Sequence, residues 1–178
     1  MQTTTGSNNT ALGAEAGSPA GSGNTTGTNN TFIGYAAINT AGGNTASNTI
    51  ILGNSGITTL RCNTSTISAL SDVRDKTNIE NIPVGLNFIN ELRPVKFEWN
   101  QRDGTRVGLI DLGFIAQESL EVVEKYDADW TGLVDHQNPE HYEMAPGKLI
   151  PILVKAIQEL SAGLDAANAE IAKLKENK

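Results

Sequence analysis

The first sixty residues of this chain carry one charged side chain, Glu15, yet hold 11 of its 18 glycines. Within them three segments echo one another: Asn9-Thr10-Ala11-Leu12-Gly13, Asn30-Thr31-Phe32-Ile33-Gly34 and Asn48-Thr49-Ile50-Ile51-Leu52-Gly53. Their closing glycines are 21 and 19 residues apart. Between them, Gly23-Asn24-Thr25 and Gly43-Asn44-Thr45 also echo each other. A period near 20 is that of a solenoid whose unit is one short strand plus turns. Each unit offers only two or three apolar residues, too few to offset an ordering entropy of about 1–2 kcal/mol per residue. A Gly/Ser/Thr/Asn linker is the competing reading, but a linker has no reason to space Ile and Phe regularly. The expectation is therefore a β-rich stalk over residues 1–70, β-helix- or β-prism-like, whose core is completed by other copies of the chain. Thr49 to Leu60 is its most strand-like part, because Ile50, Ile51, Ile57, Thr58 and Thr59 suit pleated positions.

At Ser71 the composition changes. The net charge of −7 comes from 13 basic and 20 acidic residues. Setting aside Arg61 and Glu15 leaves 12 basic and 19 acidic groups after residue 70. An acidic, aromatic-poor chain without a basic cluster argues against nucleic acid or an anionic membrane as partner. No apolar run is long enough to insert in a bilayer, and Gln2 to Asn9 shows no signal pattern. The one cysteine, Cys62, is expected as a small core residue rather than a reactive thiol. Nothing has the Cys/His spacing of a zinc site, so neither metal nor cofactor is expected.

The C-terminal end is a zipper. Ile150, Leu153, Ile157, Leu160, Leu164, Ala167, Ile171 and Leu174 follow 3-4-3-4 steps, a heptad seam over four repeats. Pro146 precedes the helix, and Pro151 lies near enough to its start to be tolerated. The seam reads as self-association rather than as one amphipathic helix on its own domain, and the charged tail Glu170, Lys173, Lys175, Glu176 and Lys178 fits a projecting helix. Ile at a with Leu at d favours dimers, whereas Ile152, Val154 and Ala156 widen the apolar face. That width suits three helices, or packing on the globular domain.

Between stalk and zipper, Pro83 to Leu92 reads as a helix ended by Pro94. Val95-Lys96-Phe97-Glu98-Trp99 alternates as a half-buried strand, and Asp103-Gly104 marks a turn. Leu109 to Leu112 is a second strand, and a helix opens at Gly113 and runs to about Tyr126. His136 and His141 are read as solvated loop residues rather than metal ligands, since Pro139 breaks any helix between them. The whole is mixed α+β: a stalk (1–70), a small α+β domain (71–147) and a long C-terminal helix (148–178).

Four ordered motifs carry a family resemblance: Ser71-Asp72-x-Arg74-x-Lys76, Leu92-Arg93-Pro94-Val95-x-Phe97-x-Trp99, Gly113-Phe114-Ile115-Ala116-Gln117-Glu118, and Leu149-Ile150-Pro151-x-Leu153-Val154-Lys155-Ala156-Ile157-Gln158-Glu159-Leu160. From Ser71 to about Leu164 the chain resembles the intramolecular chaperone auto-processing domain at the C-terminus of phage tail spikes and tail fibres. Its repeats are similar to those of trimeric phage fibres and adhesins. The resemblance implies a homotrimer in which the chaperone aligns three chains, the upstream stalk winds, and the chaperone cuts itself off at Leu70–Ser71. It implies a mature stalk on the virion tail fibre, with a host-cell surface receptor as a further partner, and a chaperone domain in the host cytoplasm during assembly.

By the same resemblance Ser71 is the nucleophile and Lys76 the base of a single-turnover serine endopeptidase, with Asp72 and Arg74 holding the loop by an ion pair. A serine hydroxyl needs a base within hydrogen-bond reach. A lysine has a reference pKa of about 10.4, and burial lowers a lysine by up to 3–5 units. Trimer assembly is one source of such burial. Asp75 departs from the apolar residue expected beside the lysine, and a carboxylate there favours the charged amine. Ser71 and Lys76 as plain surface residues, a non-cleaving trimerisation module, and a protease acting on other proteins are the competing readings.

Overall fold

A computed structural model describes residues 5–17, 26–38, 45–64 and 67–176. The Gly23-Asn24-Thr25 echo, Gly43, Asn44 and Lys178 lie outside the described residues. The fold is mixed α+β, with small sheets and one long C-terminal helix. The chain divides into two units, one made of residues 1–64, 96–113 and 136–143, the other of 65–95, 114–135 and 144–178.

In the first unit the three echoing segments form β1 (Thr10–Leu12), β2 (Thr31–Ile33) and β3 (Ile50–Leu52). They pair in parallel in the order β1-β2-β3, with Leu12, Ile33 and Leu52 in one column and Ala11, Phe32 and Ile51 in the next. Each strand is only three residues long because a left-handed residue precedes it and a glycine ends it. Asn8, Asn29 and Asn48 all have φ near +60°, a conformation Asn tolerates through local hydrogen bonding. The register differs from the sequence echo by one residue in the third segment: Asn48 stacks in the Asn8–Asn29 column, its Oδ1 accepting from Asn29 Nδ2 at 2.9 Å, and Thr49 takes the place of Asn9 and Asn30.

The polar column is the interior of this ladder. Asn30 is buried. Its backbone N–H and Nδ2 both donate to Asn9 Oδ1 at 3.0 Å, its Nδ2 also donates to the Ala46 carbonyl at 2.8 Å, and its Oδ1 accepts the Thr49 N–H at 3.0 Å. The apolar part is small: Ala16, Phe32 and Ala37, with Ile51 packed against them. Leu12, Ile33, Ile50 and Leu52 are exposed. The strand expected over Thr49 to Leu60 ends at Leu52, because Gly53 turns the chain at φ +78° and Asn54 accepts the Ile57 N–H at its carbonyl. Cys62 is also a correction: it is exposed rather than part of a core.

This unit also contains most of β4 (Val95–Glu98) and β5 (Ile110–Gly113), which pair with each other. Arg106 lies 4.2 Å from the Trp99 ring centroid, and Trp99 Nε1 donates to Asp111 at 3.1 Å. The Leu112 N–H, then the Trp99 indole, holds the Asp111 carboxyl below its usual range. His136 packs edge-on against Tyr142, and His141 Nδ1 lies 3.3 Å from Arg102. Among the described residues no group of three or more His, Cys, Asp or Glu is placed to hold a metal, and no helix is long and apolar enough to cross a membrane.

The second unit is helical: α1 (Leu86–Glu91), α2 (Ala116–Lys125) and α3 (Leu149–Glu176). β6 (Val134–Asp135) and Met144 of β7 (Glu143–Met144) lie here; the two strands pair, and the Ala145 N–H donates to the Leu133 carbonyl at 2.9 Å. α2 starts later than the sequence pattern indicated, because Gly113 closes β5 and Ile115 stays extended. The core joins Val84, Phe88, Leu92, Val122, Val123, Ala128, Leu133, Val134, Leu149 and Ile152. α3 has two apolar faces. Leu149, Ile152 and Ala156 are buried, and α3 packs on α1. The heptad positions Ile150, Leu153, Ile157, Leu160, Leu164, Ile171 and Leu174 are exposed.

Candidate functional site

The run that opens the helical unit folds on itself. Asp72 is extended, and its Oδ1 accepts the Arg74 N–H at 2.8 Å, which starts one 3-10 turn over Val73–Asp75. The Arg74 guanidinium then grips the same carboxylate with both arms, Nε to Oδ1 at 3.0 Å and Nη2 to Oδ2 at 2.6 Å. Such a planar fork fixes orientation as well as distance. The Arg74 side chain, and after it the Arg74 backbone N–H, holds the Asp72 carboxyl below the ordinary carboxylate range; Asp72 in turn raises Arg74. The Lys76 N–H donates to the Val73 carbonyl at 3.2 Å, so the chain doubles back at Lys76.

As a result Lys76 Nζ lies 2.6 Å from Ser71 Oγ and 3.1 Å from the Ser71 carbonyl oxygen. A hydroxyl and an amine at that distance meet the geometric requirement for proton transfer from nucleophile to base. Both residues are exposed in the single chain. Among the described residues no ion pair joins Asp75 to Lys76. Leu70 is 97% exposed, and Ile67, Val73 and Ile79 are exposed beside it. The segment around the Leu70–Ser71 bond thus presents apolar side chains that its own chain leaves uncovered.

The other motif residues that the structure brings together are scaffold. Arg93 forks onto Glu118, its Nε 2.9 Å from Oε2, joining the second motif to the third. Glu159 of the fourth motif accepts the Leu86 N–H at 2.8 Å. It thereby supplies the cap that Gly85, at the N-terminal end of α1, has no side chain to give. A Cβ at Gly85 would meet that carboxylate, so the glycine and the carboxylate form a matched pair. The Leu86 N–H, then the Lys155 ammonium, holds the Glu159 carboxyl down. Sequence reasoning missed one cluster: Glu91 accepts from Lys125 Nζ at 2.6 Å and from the Tyr126 hydroxyl at 2.7 Å. No spacing signal links residues 35 positions apart.

The model of peptidase family S74, described as chaperone of endosialidase, matches residues 71–127. The match begins at Ser71 and includes the 3-10 turn, α1, β4, β5 and α2; the ladder and α3 lie outside it. No curated protein and no solved structure matches the chain. Over residues 71–127 the chain is thus similar to the chaperone of endosialidase family.

Proposed function

We propose that this chain is the distal part of a homotrimeric phage tail fibre or tailspike, and that its second part is an intramolecular chaperone that cuts itself off at Leu70–Ser71. Residues 1–70 are the stalk, wound as a β-helix, 71–147 the chaperone and self-cleaving domain, and 148–178 its coiled-coil helix. The stalk stays on the virion, where its further partner is a host-cell surface receptor. The observation that carries the reading is the 2.6 Å contact of Lys76 Nζ with Ser71 Oγ, in a segment whose family match starts at that serine.

In the cut, neutral Lys76 takes the Oγ proton and the oxygen attacks the Leu70 carbonyl carbon. The bond to the Ser71 nitrogen breaks, the nitrogen leaves protonated, and water hydrolyses the resulting ester. A neutral amine is favoured when the pair leaves water. The exposed heptad face of α3 and the uncovered Ile67, Leu70, Val73 and Ile79 offer the surfaces through which assembly would exclude that water.

A denaturing gel with intact-mass measurement tests this. The unmodified chain should yield fragments 1–70 and 71–178, while Ser71→Ala and Lys76→Ala should stay full-length and assembled. Normal cutting by Lys76→Ala would remove Lys76 as the base. Replacing Ile157 and Leu160 together by Asp places six carboxylates on one axis in a trimer. Sedimentation should then show loss of trimers, and the same sample should not be cut. A second reading, a trimerisation module that never cuts and carries a receptor-binding tip, is favoured by the exposure of Ser71 and Lys76 in the single chain. It predicts full-length chain in every sample.

A further inference from the structure

The Leu70–Ser71 bond does not lie between the two compact units. The first unit takes residues 1–64 from before that bond and residues 96–113 and 136–143 from after it. Two turns from opposite sides of the bond meet inside this one unit. The first turn follows β3. Asn54 Nδ2 donates to the Tyr35 carbonyl at 3.2 Å, which pins the turn to the segment after β2, and Asn54 Oδ1 accepts the Gly56 N–H at 2.9 Å. Ile57 folds back over Gly53, where a Cβ would meet its side chain. Ser55 lies between these fixed points. The second turn joins β4 to β5. The Trp99 N–H donates to the Leu109 carbonyl at 2.8 Å, and the Gly108 N–H donates to the Trp99 carbonyl at 2.9 Å. The Gly104 N–H donates to the Gln101 carbonyl at 2.8 Å. Asp103 Oδ1 accepts the Thr105 N–H at 3.0 Å and the Thr105 hydroxyl at 2.7 Å. Where the turns meet, the Ser55 hydroxyl donates to the Asp103 carboxylate. Thr105 Oγ1 lies 3.3 Å from the Ser55 carbonyl oxygen. The hydroxyl and the carbonyl of Ser55 thus each have a partner from beyond the Leu70–Ser71 bond.

We propose that the Gln101–Thr105 turn is a latch that keeps residues 71–178 on the ladder after the Leu70–Ser71 bond has been cut. The proposal goes beyond the self-cleavage reading and rests on it for the source of the cut. A hydroxyl bound to a carboxylate is stronger than one bound to a neutral oxygen, yet one such contact in water holds two separate pieces only briefly. Three copies change the arithmetic. In a homotrimer three latches join one chaperone to one stalk, and when one opens the other two keep it close enough to re-form. Cutting then yields a noncovalent complex, and release becomes a separate and slower step.

A nick made by an added protease tests the latch without self-cleavage. The Ser71→Ala chain carries that protease's recognition sequence inserted directly after Leu70. Once nicked, its two parts should sediment together and separate slowly on dilution. With Asp103→Ala and Thr105→Val added, they should separate at least about tenfold faster. Ser55→Ala removes one hydroxyl from the other side of the contact and leaves the β4–β5 turn untouched; it should also speed separation, by less than the double change does. Prompt separation of the nicked Ser71→Ala parts overturns the proposal. So do equal rates with and without the added substitutions, because another surface then holds the parts. The denaturing gel on the unmodified chain judges the self-cleavage reading by itself, and none of these outcomes depends on it.

Discussion

The ladder and the helical unit hold themselves together by opposite means. Around Phe88 and Leu133 ten residues give up their water and touch one another, so the helical unit is stabilised by apolar area at about 25 cal/mol per Å². In the ladder only Phe32 among the large apolar side chains is fully buried, and beside it lies Asn30 with four hydrogen bonds. A buried amide contributes little net energy when satisfied and costs heavily when orphaned. The ladder therefore gains specificity of register from its polar column, while the helical unit gains stability. Sequences that look poor in core residues still specify a stack, provided Asn and Gly recur in the right columns.

Removing the largest contribution on each side separates the two units. Phe88→Ala should cost the helical unit about 3–5 kcal/mol, from lost transfer energy and the cavity left behind, read as a lower urea midpoint of the helical signal. Asn30→Leu comes next. It orphans the Thr49 N–H and the Ala46 carbonyl, at about 1–3 kcal/mol for each buried group left unmade. It should raise amide exchange at Phe32 while leaving the helical unit's urea midpoint in place. A neutral Asn30→Leu would show that the ladder is apolar after all. Glu159→Ala, which removes the cap on α1, should lower the helical unit's urea midpoint by less than Phe88→Ala does.

The smallest effect is one of pH. A hydrogen bond with Ser55, and after it the Thr105 hydroxyl and N–H, lowers the Asp103 pKa from 3.8 to about 2. A carboxylate with a lowered folded-state pKa adds stability that is fully present above its unfolded value and is lost as pH falls through the folded one. Thermal melts of the unmodified chain and Asp103→Asn should therefore differ at pH 5 and converge as the pH is lowered from 3.8 towards 2. A gap that persists at pH 2 would mean that Asp103 acts by shape rather than charge.

What the sequence revealed follows from the range of each interaction. Periodicity exposes the closing glycines, 21 and 19 residues apart, and the 3-4 steps of the heptad face of α3, and a short motif exposes the Ser71–Lys76 pair. The second face of α3 did not separate from the first, because Leu149, Ile152 and Ala156 are as apolar as the seam and only tertiary contact distinguishes them. Asn30 opens one of the echoing segments, but its burial shows only once its partners are seen 16 to 21 positions away. Arg93, Glu118 and Glu159 were present in the motifs as unpaired letters, since a motif preserves identity and not contact. Ile57 resembled strand because β-branched side chains also cover glycine turns.

The Ser71–Lys76 contact encloses only the four residues between its partners. Loops of that order close in about 10–100 ns, whereas a ribosome adds residues at about 5–20 per second. The contact is therefore made before the next residue emerges, and it re-forms within a microsecond each time it breaks. An event so early and so fast holds no record of whether the rest of the molecule is finished. Any clock that delays a cut at Leu70 has to run in slower parts: the gathering of the exposed α3 faces, or the covering of the apolar side chains on either side of the bond.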